Sequence, residues 1–567
     1  MKILKFAIGL FIGLLLIALP FSQFQVSERS PVETIVVQQG GRKKPLDTVA
    51  KETVAKIHGS TVYKHGDTKE SAMETFLSLW LNNRNWNEEP FVLFSYRPLK
   101  ESVGLDPDQK YFSFESLMRN AGLREAVQTA HRQESLDETV SRDGREAIAL
   151  EDRLTLMLSM VNDDAIAVVP HPIDIKGKWL GISEAQSTYG PAAIAPLLAD
   201  FESMKRTLLA KAGQETALID LMPFAVDLQD GLRRLSPSVY PAVGAVDREV
   251  FFNHFHPFAK AWQIYALAFG MMLLALWVPK LALYWPAIGL FVAGVGVQSY
   301  GFWQRMQIAG RPPVTNMYES VVWVGFGIAA IALAFELTSR AKYYLLAAAP
   351  LAVMCLILAD SLPAVLDPSI SPLVPVLRDN FWLSIHVPTI ALSYASFALA
   401  LGIGHLALGS YLFSPQAKSR IQLLSQLNYR VLQVGVLLLT VGIILGGIWA
   451  HFSWGRFWGW DPKETWALIA LLCYLVPLHG RLVGWIGNFG ISVASVVSFN
   501  AVLMAWYGVN FVLGTGLHSY GFGTGGSAVL LAGAVGADLC FVLLAAARYK
   551  GWFNREMPES VIASSNS

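Results

Sequence analysis

The sequence predicts an all-α polytopic membrane protein with about ten transmembrane helices and a mainly helical extracytoplasmic domain after the first of them. Three observations predict this. The chain is 53% hydrophobic and only 15% charged, with a mean hydropathy of +0.41, whereas soluble domains carry about 25% charged residues. Apolar runs near the ~20 residues that a bilayer core requires recur from residue 258 onward. Between the first such run and the rest lies a long polar stretch, 25–257. The net charge is +1, so no basic footprint points to nucleic acid.

The first run, Phe6 to Phe24, follows Lys2 and Lys5. It reads as a signal peptide or as a first span. No clear small-residue cleavage site follows, so the expectation is an uncleaved anchor, 1–24, with its N-terminus in the cytoplasm. The region 25–257 has amphipathic spacing in Ser71–Leu81 and Ser113–Leu123, which argues helix, and the anchor would place it outside the cytoplasm. The polytopic domain, 258–550, contains nine candidate spans near 259–278, 283–303, 317–337, 343–361, 384–413, 431–450, 465–480, 486–509 and 527–547. A short cytoplasmic tail, 551–567, would follow. On this topology Lys280, Arg340, Lys342, Lys418, Arg420, Arg430, Arg481 and Arg548 fall on the cytoplasmic side, as the positive-inside rule requires. Arg305 and Arg311 run against it. The three cysteines, Cys355, Cys473 and Cys540, each lie in an apolar run and form no C-x-x-C pair. A disulfide framework and a thiolate zinc site are therefore not expected.

The most unusual stretch is Ala450–Leu468, AHFSWGRFWGWDPKETWAL. It carries Trp454, Trp458, Trp460 and Trp466 with Phe452 and Phe457. Part of it is a helix start: Asp461 as N-cap, Pro462 at the first position, and Glu464 at the third as capping-box partner. The tryptophans suit an interfacial aromatic belt, and they equally suit a shelf for a flat, apolar ligand. His386 at the start of one span and His518 in the last external loop fall on the same face as this stretch. Two histidines at one level beside an aromatic shelf match what axial haem ligation requires. His479 lies about 13 residues into its span, ~20 Å deeper at 1.5 Å per residue, where an ionisable group marks a functional hypothesis. A water-accessible histidine beside Arg481 is the plainer reading. His405 lies at similar depth and is the candidate for a second, inner pair.

The string WGRFWGWDPKETWAL resembles the tryptophan-rich WWD signature of haem-handling proteins. Its DPKETWAL ending resembles the CcsA (ResC) family of System II cytochrome c biogenesis rather than the CcmC or CcmF proteins of System I. GRPPVTNMYESVVW (310–323) resembles that family's external N-x-Y-E-S segment, and FWLSIHVPT, YGVNFVLGTGLHSYG and YLVPLHGR resemble the segments that carry its histidines. The resemblance covers roughly 290–547. GGRKKPLDTVAKETV and REVFFNHFHPF resemble, more weakly, the front half of fused CcsBA-type proteins. That front half usually has several spans before its external domain, and this chain has one, without histidine. The inner site therefore needs a second ligand from elsewhere: His405 first, then His254 and His256, or a separate CcsB/ResB-like subunit.

The resemblance implies a holocytochrome c synthase. Haem b, as substrate and bound ligand, would cross to the outer face of a bacterial inner membrane. There the two thiols of a C-x-x-C-H apocytochrome c would add to its vinyl groups. His386 and His518 would hold the iron, His479 would serve an inner haem, and the four tryptophans with Asp461 would line the cofactor site. Lys463 and Glu464 would meet propionates or cap the helix, with capping the expected role of Asp461. Thiol-reducing thioredoxin-like proteins are implied partners, with the lipid bilayer as solvent. The alternatives are a haem exporter or chaperone that serves a separate ligase, and a bis-His electron-transfer protein.

Overall fold

A computed structural model describes residues 30–551, apart from 137, 139, 161–165, 211–219, 279–281, 364, 514–515 and 519–527. The anchor expected at 1–24 and nearly all of the tail at 551–567 lie outside the described residues.

The polar region opens with a hairpin, β1 (Val36–Gln39) against β2 (Arg42–Pro45). Gly40 and Gly41 form its turn with φ of 61° and 76°, the left-handed pair that a tight two-residue hairpin needs. Two further antiparallel ribbons follow: β3 (Val62–His65) with β4 (Thr68–Ser71), and β5 (Pro90–Leu93) with β6 (Tyr111–Ser113). Around them lie α1 (Leu46–His58), α2 (Ala72–Trp80), α3 (Arg97–Ser102), α4 (Phe114–Arg119), α5 (Ala121–Ser135) and α6 (Arg142–Met160). They are followed by α7 (Gln186–Tyr189), α8 (Pro191–Ala210), α9 (Met222–Leu235) and α10 (Val243–Phe255). Ser71 begins α2 with a full capping box to Glu74, so the amphipathic segment expected there is a helix with its own start signal. One buried apolar cluster joins residues from Val32 to Val246, and a second joins residues from Phe258 to Ala505.

Between α10 and the next helix the chain turns at His256, which takes φ 48° ahead of Pro257. Proline at a first helical position restarts the helix without losing a bond. The apolar helices are α11 (Pro257–Trp277), α12 (Tyr284–Ala309), α13 (Met317–Ser339), α14 (Tyr343–Ser361), α15 (Asn380–Phe413), α16 (Lys418–Trp454) and α17 (Pro462–Leu482). Then come α18 (Asn488–Val497), α19 (Phe499–Leu503), a π-helical stretch Met504–Leu513, and α20 (Ala528–Tyr549). Eight helical segments among the described residues are long and apolar enough to cross a membrane. The span expected at 283–303 is a 26-residue helix, α12, but it is not among those eight; Gln298, Gln304 and Arg305 punctuate its second half. The helices pack through small side chains that let backbones approach. Ser396 donates to Val431 O at 2.8 Å, and Gly435 admits the ring of Phe397, which stacks on Tyr474 at 3.8 Å. The cysteines are unpaired, with Cys540 exposed.

The two basic residues that oppose the charge rule have a structural reason. Arg305 Nε donates to Glu319 Oε1 at 2.5 Å, with side chains 4% and 2% exposed. Arg311 donates to Ser371 O at 2.7 Å. Their charges serve fixed contacts rather than orientation. Removing one partner of a buried ion pair strands the other charge, at a cost of about 3–5 kcal/mol. Glu319→Ala is thus expected to lower the unfolding temperature of the detergent-purified protein far more than a neighbouring half-buried, uncharged substitution such as Ser320→Ala; an unchanged melting curve would show that the pair does not stabilise the fold.

Candidate functional site at one end of the helical bundle

Helix alternation puts the starts of α15 and α17, the end of α16 and the segment after the π-helical stretch at one end of the bundle. α16 stops at Gly455, a left-handed cap with φ 71° whose N–H bonds His451 O at 2.9 Å. α17 then starts as its sequence requires. Asp461 Oδ1 accepts the Lys463 N–H at 3.0 Å, and Glu464 Oε2 accepts the N–H groups of Gly459 (2.8 Å) and Asp461 (3.2 Å).

Asp461 does more than cap. Its Oδ1 also accepts from His518 Nδ1 at 2.9 Å, and its Oδ2 accepts the Leu517 N–H at 2.6 Å. Burial pushes this carboxyl up, but the hydrogen bonds from His518 and the Lys463 and Leu517 amides outweigh it and hold Asp461 at about 2. A carboxylate only accepts, so the proton of this bond lies on His518 Nδ1. Gly516 (φ 103°) lies so close to Asp461 that any Cβ would strike the carboxylate. The ring of His518 meets Trp454 edge-on, centroids 5.1 Å apart.

His386 is fixed in the same sense. Asp379 caps α15 by accepting the N–H groups of Phe381 and Trp382, and His386 follows within two turns. Its Nδ1 donates to Gly442 O at 2.9 Å, which leaves the lone pair on Nε2. Trp449 packs against the ring at 5.6 Å. Gly446 makes the space, because a Cβ there would enter the imidazole, and Gly447 does the same for Phe457. His518 and Lys463 are both within electrostatic range of His386.

Around the two histidines the aromatic side chains are unusually open. Phe452, Phe457, Trp460 and Phe381 are exposed, Trp382 leans on Phe452, and Trp458 meets Trp460 at 89°. Trp460 holds φ 57°, a left-handed conformation that costs a non-glycine residue about 1–3 kcal/mol and clusters at functional sites. Trp466 differs: it packs from α17 against the bundle core. Sequence reasoning passed over Phe381, Trp382, Trp449 and Gly446; the GG pair in ILGGIWA was the available signal.

The histidines expected at an inner site lie toward the opposite end. His479 Nδ1 bonds its own helix at Leu475 O, and its face is exposed together with Leu472 and Val476. His405 bonds Leu401 O at 2.9 Å and Asp538 Oδ1 at 3.0 Å, stacks on Phe541, and borders a cavity of about 290 Å³. Its partner is thus the last helix. His254 bonds Glu33 at 3.2 Å, and His256 lies 3.9 Å from Asp360. Both flank the start of α11, at the His386 end, so neither can complete a site with His479 at the other.

Residues 314–518 match the family described as Cytochrome C assembly protein. Protein NrfI of Wolinella succinogenes is 29% identical over 517 residues, which cover 87% of this chain and 54% of that protein. The chain thus spans about half the length of that relative. The cytochrome c biogenesis proteins CcsA of Synechococcus sp. (strain CC9311) and Microcystis aeruginosa are 36% and 34% identical. Their matches cover 39% and 38% of this chain and 82% and 80% of those proteins.

Proposed function

This chain belongs to the CcsA family of cytochrome c biogenesis proteins, and from that premise we propose that it is the synthase that joins haem to apocytochrome c. The observation that carries the reading is the matched orientation of His386 and His518. Each donates its Nδ1 proton to a fixed acceptor, Gly442 O or Asp461 Oδ1, so both Nε2 atoms are left for iron. A carboxylate on the remote nitrogen also raises ligand basicity.

In this reading haem b is the substrate. His386 and His518 ligate its iron, and the open aromatic shelf of Trp454, Trp458 and Trp460 covers a porphyrin face while leaving the vinyl edge accessible. A thiol of the C-x-x-C-H segment adds across each vinyl group: sulfur bonds the inner carbon, the thiol proton ends on the outer carbon, and no electrons are gained or lost. The acceptor supplies the thiols, so the chain needs no cysteine of its own here. Holding sulfur and vinyl in near-attack geometry is worth about 7–11 kcal/mol. Residues 25–257 form the extracytoplasmic unit, the site faces the periplasmic side of a bacterial inner membrane, and thioredoxin-like reductants keep the acceptor thiols reduced. His479 belongs to an inner haem station whose second ligand comes from a CcsB/ResB-like subunit, because His405 is engaged by Asp538.

The test is to co-express the chain with a C-x-x-C-H apocytochrome in cells without other maturation systems and to stain for covalent haem. Covalent product supports the synthase. Haem bound to the chain with no thioether on the acceptor would favour the exporter reading, and rapid quinol reduction of that haem would favour electron transfer.

A further inference from the structure

The N-x-Y-E-S segment has no role in the chemistry above, yet its contacts reach both sides of the site. We propose that this corner, between α12 and α13, is a brace that sets the spacing of the two histidines, with Asn316 and Asn510 as positioning residues. The proposal rests on the axial reading of His386 and His518.

On the His386 side the corner grips the strap between α14 and α15. Arg305 Nη2 donates to Pro368 O at 2.8 Å, Asn316 Nδ2 to Ser369 O at 3.2 Å, and Arg311 Nη2 to Ser371 O at 2.7 Å. Three side chains thus bind three carbonyls within four residues of a segment that has no helix or strand to satisfy them. The strap runs through a 3₁₀ turn (Pro375–Arg378) into the Asp379 cap and so into His386. The grip is itself rigid. Asn316 Oδ1 caps α13 through the Glu319 N–H at 2.8 Å, and Glu319 Oε2 accepts both the N–H and hydroxyl of Thr315 at 2.6 Å. From the far side, Gly41 of the β1–β2 hairpin lies against Pro372 so closely that a Cβ would touch its ring.

On the His518 side, Met317 Sδ accepts from Asn510 Nδ2 at 3.4 Å, and Asn510 Oδ1 accepts from Lys463 Nζ at 3.1 Å. Lys463 is the residue whose N–H bonds Asp461 Oδ1, the same oxygen that holds His518. Asn510 sits, 6% exposed, in the π-helical stretch that leads to Gly516–His518. π-helical turns are rare and concentrate at functional sites. One corner is therefore bonded to the strap that delivers His386 and to the groups that hold His518. Two imidazoles share one iron only if their nitrogens stay within about 0.5 Å of the required separation, so a corner bonded to both sides bears on that distance.

The discriminating variant is Asn316→Asp. It keeps the helix cap and replaces the amide that donates to the strap with a carboxylate that faces carbonyl oxygens. Asn510→Ala tests the other arm. Both are to be purified as full chains with haem, with spin state, reduction potential and melting temperature recorded against wild type, His386→Ala and His518→Ala. Expected are at least a halving of the low-spin fraction, a shifted potential, restoration of the low-spin spectrum by imidazole, and a melting temperature near wild type. A wild-type spectrum and potential in both variants would overturn the brace. So would a loss that imidazole does not restore, since the fold and not the spacing would then have changed. If wild type lacks axial haem, or both histidine variants keep it, the axial reading fails instead.

Discussion

His386→Ala and His518→Ala are each expected to abolish the low-spin haem spectrum of the purified protein, with exogenous imidazole restoring it. On the proposed axial reading each substitution removes one ligand nitrogen but leaves the neighbouring ring, Trp449 or Trp454, in place. Imidazole fits the space of the lost ring, which is why rescue reports ligation rather than folding. Asp461→Ala is expected to approach His518→Ala in effect, because the carboxylate holds the ring through Nδ1 and the Leu517 amide through Oδ2. Loss of such an outer partner costs about 10–100-fold in metal affinity. Asp461→Asn retains an acceptor oxygen and should fall between wild type and Asp461→Ala. The pH dependence follows from the direction of the shift. The folded state holds Asp461 at about 2, below the ordinary carboxylate value, so its contribution is complete above that ordinary value and is lost as pH falls through about 2. Between about pH 5 and 8 the wild-type and Asp461→Asn spectra should therefore change in parallel. An additional acid transition in wild type alone over that range would contradict the assignment of Asp461 as a permanently ionised acceptor.

The parts legible in the sequence are those encoded locally. Apolar runs mark the helices because a bilayer leaves no other way to satisfy backbone groups. The start of α17 was readable because Asp461, Pro462 and Glu464 form a cap within four residues. What stayed hidden depends on residues far apart in the chain. Nothing near Asp461 announces that it also holds His518, 57 positions away, so the local pattern offers only a helix cap and a place beside the cofactor site. Likewise His405 offered itself as an inner ligand because its partner, Asp538, is 133 positions away. Arg305 and Arg311 looked like failures of a topology rule until Glu319 and the strap carbonyls accounted for them. The short ribbons were missed for a different reason: four-residue strands such as Arg42–Pro45 are too brief for alternation to register.

Gly446→Ala is expected to disable the site almost as thoroughly as removing a ligand, although the glycine carries no chemistry. Its Cβ would overlap the imidazole of His386, with Cε1 the nearest atom. The ring cannot simply turn aside, because Nδ1 is bonded to Gly442 O one turn earlier on the same helix and Trp449 closes the other edge. Either α16 withdraws from α15 or His386 loses its hydrogen bond and its aim. Overpacking of this kind costs about 1–3 kcal/mol, and the loss falls on the ligand geometry because the rest of α16 remains well packed. Haem affinity should drop about 10- to 100-fold as His386 loses its Gly442 partner, and the haem-free protein should melt below wild type because the overlap is present there too. Gly533→Ala is the matched control, a glycine in α20 whose Cβ would meet nothing, and it should leave haem binding unchanged. Equal haem affinity in the Gly446 and Gly533 variants would show that the ring of His386 has freedom which its Gly442 contact denies, and would remove the main geometric support for His386 as an axial ligand.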